Sequence, residues 1–150
     1  MYKRILVAIE NSDADRTILA HVRELARLTG AELLLVHVAD GWAARHFEDL
    51  QLRESEEIHA DREYLATLER TLKTEGFHVR TLLAMGDPVT ELVRTAEAEA
   101  SDLIAMSTHG HRFLADVVKG TTVDRLRHLV KIPVLLLRAQ PPTSPARSTP

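Results

Sequence analysis

The sequence has no cysteine, a single tryptophan and no apolar run long enough to cross a bilayer. The lack of cysteine excludes disulfide scaffolds, thiolate-ligated zinc, iron–sulfur clusters and thiol catalysis. It is compatible with a reducing cytoplasm, which is the expected location. Apolar runs such as residues 33–36 and 134–137 are far shorter than the ~20 residues of a transmembrane helix. The amino-terminal segment is charged and then strand-like, so no secretory signal and no membrane association are expected.

The chain also has no large excess of positive or negative charge. The 150 residues carry 19 Lys and Arg against 22 Asp and Glu, and 45% are hydrophobic, as in one soluble globular domain. The balance gives no support for a nucleic-acid partner. The charges are distributed unevenly along the chain. Residues 40–75 hold ten acidic and five basic side chains, whereas residues 109–131 hold five basic and two acidic ones.

Five strand-like runs alternate with helical patterns. The strands are predicted at Lys3–Ile9, Ala31–Val38, Phe77–Ala84, Asp102–Met106 and Pro133–Leu137. The run 33–36 is apolar without alternation, as expected of a strand buried on both faces. Strands that alternate with helices form right-handed βαβ units. The sequence therefore predicts an α/β fold, a doubly wound five-stranded parallel sheet with helices on both faces.

Residues that favour helix ends mark several boundaries. Ser12 followed by Asp15 resembles a capping box, and Gly30 is expected to end the first helix. Asp87 before Pro88 is typical of a helix start. A loop is predicted for Ala39–Leu52.

The second helix is expected to present a solvated acidic face over residues 54–75, with pairs such as Glu69–Lys73, and to end at Gly76. His37 lies within an apolar strand and is predicted to be a hydrogen-bonded core or strand-end residue. His109 and His111 have no third ligand nearby in the sequence, so no metal site is predicted.

The carboxyl end of the fourth strand has the most unusual composition. It reads Ser107-Thr108-His109-Gly110-His111-Arg112, and the chain then returns through Lys119-Gly120-Thr121-Thr122 into a predicted helix. Glycine allows the backbone to approach a ligand closely. A helix amino terminus offers unpaired N–H groups and a partial positive charge. Together these features predict a phosphate-binding loop.

The loop residues and four other segments resemble the universal stress protein family over roughly residues 2–138. The family signature, G-x2-G-x9-G-[ST], is present as Ser107-x2-Gly110-x9-Gly120-Thr121. The supporting segments are ILVAIENS, LLLVHV, the Gly86-Asp87-Pro88 turn and IPVLLLR. Each segment is weak alone, but the nine-residue spacing at this point of the topology makes the combination specific.

The resemblance implies a sheet of order 3-2-1-4-5, Rossmann-like and similar to adenine-nucleotide alpha-hydrolases. It implies one domain over residues 1–138, and residues 139–150 are expected to form a disordered tail. The ligand it implies is ATP, or AMP or cyclic AMP, with Mg²⁺ or Mn²⁺ held only through the phosphates. A homodimer through the last strand, Pro133–Leu137, is also expected, since an apolar edge strand invites pairing.

The resemblance also assigns roles to individual residues. Adenosine is expected beside Ala8, Ile9 and Glu10, with backbone bonds from Val38 to adenine. The end of the fourth strand contributes Met106 and Ser107. The phosphates are expected on Gly110, His111, Gly120, Thr121 and Thr122.

Two departures keep a second hypothesis open. Ser107 stands where the family signature has glycine, and Glu10 stands where an aspartate is usual. The alternative is therefore a nucleotide-independent dimeric interaction module of the same fold. The sequence lacks a G-x-S-x-G elbow and a P-loop, and no catalytic base is evident. We expect a stress-response regulatory protein with an unidentified protein partner rather than an enzyme, with at most slow ATP hydrolysis.

Overall fold

The computed structural model describes residues 1–40, 47–108 and 121–140. Strands and helices alternate along the chain. Their bounds are β1 (Arg4–Ala8), α1 (Ala14–Thr29), β2 (Glu32–Asp40), α2 (Phe47–Thr74), β3 (Val79–Gly86), α3 (Pro88–Ala98), β4 (Leu103–Ser107), α4 (Thr121–Leu129) and β5 (Val134–Leu137). Within these ranges no helix is both long and apolar enough to cross a membrane.

The five strands form one sheet of order β3-β2-β1-β4-β5, and every neighbouring pair is parallel. This confirms the predicted fold class and strand order. The chain leaves β1 toward β2 on one side and later returns to β4 on the other side. The order of strands therefore reverses between β1 and β4.

Two apolar cores lie on the two faces of the sheet. Alternate residues of β1 divide between them, with Ile5 and Val7 in the core under α1 and α2, and Leu6 and Ala8 in the core under α3 and α4. Both faces are covered, which is why the strands read as continuous apolar runs. Burial of side chains such as Leu34, which is 1% exposed, stabilises the fold by about 1.5–3 kcal/mol each.

The predicted helix boundaries are confirmed at two places. Gly30 has a φ of 71° and donates its N–H to the Ala26 carbonyl at 2.8 Å, which ends α1. The Asp87 carboxylate accepts from the Thr90 N–H at 3.0 Å at the start of α3. Such an N-cap contributes about 1 kcal/mol.

Two boundaries differ from the prediction. β2 continues to Asp40 and α2 begins at Phe47, so the predicted loop 39–52 is too long. β3 spans Val79–Gly86 instead of residues 77–84. The reason is tertiary, because β2 and β3 pair in register up to Asp40 and Gly86 and extend one another to the carboxyl edge. Trp42 lies outside the described residues.

Candidate functional site

The carboxyl edge between β1 and β4 is the candidate site. Open α/β sheets bind ligands outside the strand ends where the strand order reverses, and here that point separates β1 from β4. α1 begins at Ala14 on one side of this crevice and α4 begins at Thr121 on the other. Both helices direct their amino termini toward the edge, which suits an anionic ligand.

The predicted adenosine residues lie together at this edge. Ala8, Ile9, Val38 and Met106 are each at most 2% exposed and belong to the core, and the Ile9 N–H donates to the Val36 carbonyl at 2.8 Å. Because these side chains are buried, the main chain is what they can offer to a ligand. Their contact with a nucleotide stays a prediction.

The predicted phosphate residues are only partly within the structure. Gly110, His111 and Gly120 lie outside the described residues. Thr121 and Thr122 are the first two residues of α4. The part of the predicted phosphate site that the structure describes is therefore the amino terminus of α4. Backbone N–H groups at a helix amino terminus are donors that fit a phosphate group.

Ser107, which stands in place of a signature glycine, packs against the start of α1. It is buried, and its hydroxyl donates to the Ala14 carbonyl at 3.4 Å. The next residue, Thr108, donates its N–H to the Leu137 carbonyl at 2.8 Å. The serine side chain thus has a partner in the protein and ties the end of β4 to α1.

The segment between β1 and α1, residues 9–13, is held by the buried carboxylate of Asp15. One oxygen, Oδ1, accepts from the Glu10 N–H at 2.9 Å. The other, Oδ2, accepts from the Asn11 N–H at 2.8 Å, the Ser12 N–H at 3.3 Å and the Tyr64 hydroxyl at 2.7 Å. The Ser12 hydroxyl donates to Glu10 Oε2 at 3.0 Å and accepts from the Ala14 N–H at 3.3 Å. The predicted capping box is therefore present in part, because Asp15 accepts from the Ser12 N–H. Asp15 also accepts from the N–H groups of the two residues before Ser12.

A buried pair, His37 on β2 and Asp61 on α2, contacts the same segment, residues 9–13. His37 Nδ1 lies 2.7 Å from the Ile9 carbonyl oxygen, and its Nε2 lies 3.1 Å from Asp61 Oδ2. Asn11 adopts a φ of 60° and donates from Nδ2 to Asp61 Oδ1 at 3.0 Å. The prediction that His37 is a hydrogen-bonded strand-end residue is confirmed.

Two pKa shifts report on the surroundings of the edge. Burial, followed by the hydrogen bond to the Asp15 carboxylate, raises the pKa of the Tyr64 phenol well above its usual value, so Tyr64 stays a donor. Burial pulls the pKa of Asp87 upward, but hydrogen bonds from Thr90 and the charge of Arg125 outweigh it and lower the pKa. Arg125 Nη2 lies 3.2 Å from Asp87 Oδ2, so one cation of the basic stretch is already paired.

Sequence reasoning missed the role of α2 in this site. The acidic face of α2 is solvated at Glu56, Glu57 and Glu63, and the pair Glu69–Lys73 forms at 2.6 Å, as predicted. Asp61, an acidic residue on the same helix, is instead buried, at 5% exposed.

The missed signal lies in the helical spacing. Asp61 is located between Ile58 and Leu65 at the spacing of the apolar stripe, which marks it as facing the core. In the described part of the chain, no cluster of three or more potential ligands could hold a metal ion.

Comparisons with known proteins agree with this architecture. The model of the universal stress protein family matches residues 1–138. Universal stress protein MJ0577 of Methanocaldococcus jannaschii is 26% identical over 92% of this chain and 96% of the relative. Its solved structure matches with a TM-score of 0.81 and 26% identity over 93% of this chain and 98% of that chain.

Two further solved structures carry a ligand. A universal stress protein from Archaeoglobus fulgidus in complex with dAMP matches with a TM-score of 0.66 and 21% identity, over 91% of this chain and 98% of that chain. A universal stress protein in complex with cyclic AMP matches with a TM-score of 0.65 and 19% identity, over 93% of this chain and 98% of that chain. The family match spans all nine helices and strands described above, and by it this chain belongs to the universal stress protein family.

Proposed function

We propose that this protein binds an adenine nucleotide at the carboxyl edge between β1 and β4 and acts as a regulatory module of the stress response. The observation that carries the proposal is the reversal of strand order between β1 and β4, flanked by the amino termini of α1 and α4. The relatives in complex with dAMP and cyclic AMP have the same fold. They support an adenine nucleotide as the class of ligand.

The roles divide between the two sides of the crevice. The main chain of Ala8, Ile9, Glu10 and Val38 is suited to the adenosine, because the side chains of these residues are buried. The phosphates are expected at the start of α4, where Thr121 and Thr122 offer N–H groups. A divalent cation, Mg²⁺ or Mn²⁺, would be held by the phosphates.

Binding rather than turnover is the proposed activity. Among the described residues, the buried histidine nearest the edge is His37, and both of its ring nitrogens lie within hydrogen-bond distance of protein oxygens. It is not placed to take a proton from a water molecule at the edge. The described part of the edge is thus suited to positioning phosphates, which supports at most slow ATP hydrolysis.

The proposal is tested by calorimetry with ATP, AMP and cyclic AMP, each with and without Mg²⁺. We expect binding of at least one adenine nucleotide at micromolar to low millimolar concentration, and a thermal shift in the same rank order. The ultraviolet spectrum of the denatured protein shows whether nucleotide was co-purified. Absence of heat and of thermal shift at millimolar nucleotide would exclude the proposal. That result would favour the nucleotide-independent interaction module.

We also propose that the protein forms a homodimer through β5. This strand is the edge of the sheet after β4, and Leu136 on it is 38% exposed. An apolar edge exposes unpaired backbone groups and favours pairing with a second chain. Sedimentation equilibrium at micromolar concentration is expected to give a dimer, and Leu136→Lys is expected to shift it toward monomer. A monomer in the unmodified protein would contradict the proposal.

A further inference from the structure

The pair His37–Asp61 is buried at the base of the segment between β1 and α1, residues 9–13, here called the β1–α1 loop. The two side chains are 5% and 7% exposed. They come from different elements, His37 from β2 and Asp61 from α2. Ion pairs this deeply buried are costly unless further hydrogen bonds satisfy them. Here the Ile9 carbonyl and the Asn11 amide supply these bonds.

The two ring nitrogens of His37 have different partners. A backbone carbonyl only accepts, so the Nδ1 facing Ile9 carries a hydrogen. The Nε2 lies 3.1 Å from Asp61 Oδ2, within hydrogen-bond distance. His37 therefore connects the Ile9 carbonyl to Asp61 on α2.

The pair is connected to the shape of the β1–α1 loop. It holds the Ile9 carbonyl and the Asn11 side chain, and Asn11 has the left-handed φ of 60°. A few polar contacts therefore keep the backbone in a conformation that non-glycine residues adopt infrequently. Loss of these contacts is expected to loosen the loop.

Two residues of α2 act on this loop from one face of the helix. Asp61 reaches it through His37 and Asn11, while Tyr64, three positions later, reaches it through Asp15. The position of α2 and the backbone at the carboxyl edge are therefore linked by hydrogen bonds.

We propose that the His37–Asp61 pair is a positioning device that fixes the β1–α1 loop through its hydrogen bonds, and so couples the position of α2 to nucleotide affinity at this edge. The coupling to affinity rests on the proposed function. The control of loop conformation does not depend on any ligand. Neither residue is assigned a contact with the nucleotide.

Asp61→Asn keeps the geometry of the pair without its carboxylate. The asparagine amide can donate to Nε2 of His37, while its carbonyl still accepts from Asn11. The contacts with His37 and Asn11 are then kept. In Asp61→Leu both of these contacts are lost. His59→Gln is the matched control, because His59 is an exposed histidine on α2, with 74% of its side chain accessible.

The first measurement uses the protein without ligand. Amide exchange, expressed as protection factors, is expected to be at least tenfold lower at Glu10 and Asn11 in Asp61→Leu than in the unmodified protein, because the loop then loses its contacts with residue 61. Asp61→Asn and His59→Gln should keep the protection of the unmodified protein. Equal protection in all four proteins, or a loss in Asp61→Asn as large as that in Asp61→Leu, would overturn the proposal.

The second measurement is the ATP affinity of the same variants. We expect about a tenfold loss of affinity in Asp61→Leu, and affinities within about twofold of the unmodified protein in Asp61→Asn and His59→Gln. If no variant binds nucleotide but the exchange results hold, the proposed function fails and the loop device stands. If Asp61→Leu binds ATP as tightly as the unmodified protein, the coupling is wrong.

Discussion

Gly120→Val is expected to abolish nucleotide binding and leave the fold intact. Gly120 immediately precedes α4, which begins at Thr121, and the free N–H groups of that helix end are the proposed phosphate donors. A branched side chain at this point keeps the phosphates from approaching. Loss of two charge-assisted hydrogen bonds of about 1.5–3 kcal/mol each lowers affinity at least a hundredfold. Calorimetry with ATP measures the loss.

The matched control for this variant is Gly30→Ala. Gly30 lies at the opposite, amino end of the sheet, where an added Cβ meets no atom within 4 Å. Its left-handed φ makes alanine cost about 1 kcal/mol of stability, without any change in affinity. Far-ultraviolet circular dichroism checks that both variants fold. Unchanged affinity in a folded Gly120→Val protein would show that the phosphates bind elsewhere.

Asp15→Ala is expected to have the largest effect on stability of any single change near the site. The carboxylate accepts from three backbone N–H groups and from the Tyr64 hydroxyl, and Asp15 is 2% exposed. Truncation leaves these donors buried without an acceptor, at about 1–3 kcal/mol for each one that water cannot reach. We expect a loss of about 3–5 kcal/mol in the free energy of unfolding, measured by urea titration.

Asp13→Ala is the control for that measurement. Asp13 is the same residue type two positions earlier, is exposed, and its side chain makes no capping hydrogen bond. We expect its effect to stay within about 0.5 kcal/mol. A loss of less than 1 kcal/mol in Asp15→Ala would mean that the β1–α1 loop is not held by this carboxylate.

The sequence predicted the class of fold because local signals agreed with one another. Gly30 ended α1 and Asp87 began α3 at the predicted places, since capping depends on a few neighbouring atoms. The strand ends at the carboxyl edge were less well predicted. Asp40 and Gly86 extend their strands because each pairs with the other across the sheet, and partners 46 positions apart leave no local signature.

The candidate site likewise combines a feature predicted from the sequence with a contact that is seen only in the fold. The spacing of Gly110, Gly120 and Thr121 is a property of the chain, and with the supporting segments it predicts a phosphate-binding loop. The contact between Ser107 and Ala14 joins residues 93 positions apart. It gives the serine a place against α1 that the signature alone did not reveal.

Periodicity, caps and motif spacing are local properties of the chain, so they were enough to predict the order of strands and helices along it and its family. The burial of Asp61 against His37 could not be predicted in this way, because α2 was expected to present a solvated acidic face over residues 54–75. Burial depends on which face of α2 packs on the sheet, and hydrogen bonds between β2, α2 and the β1–α1 loop form only once these elements are assembled.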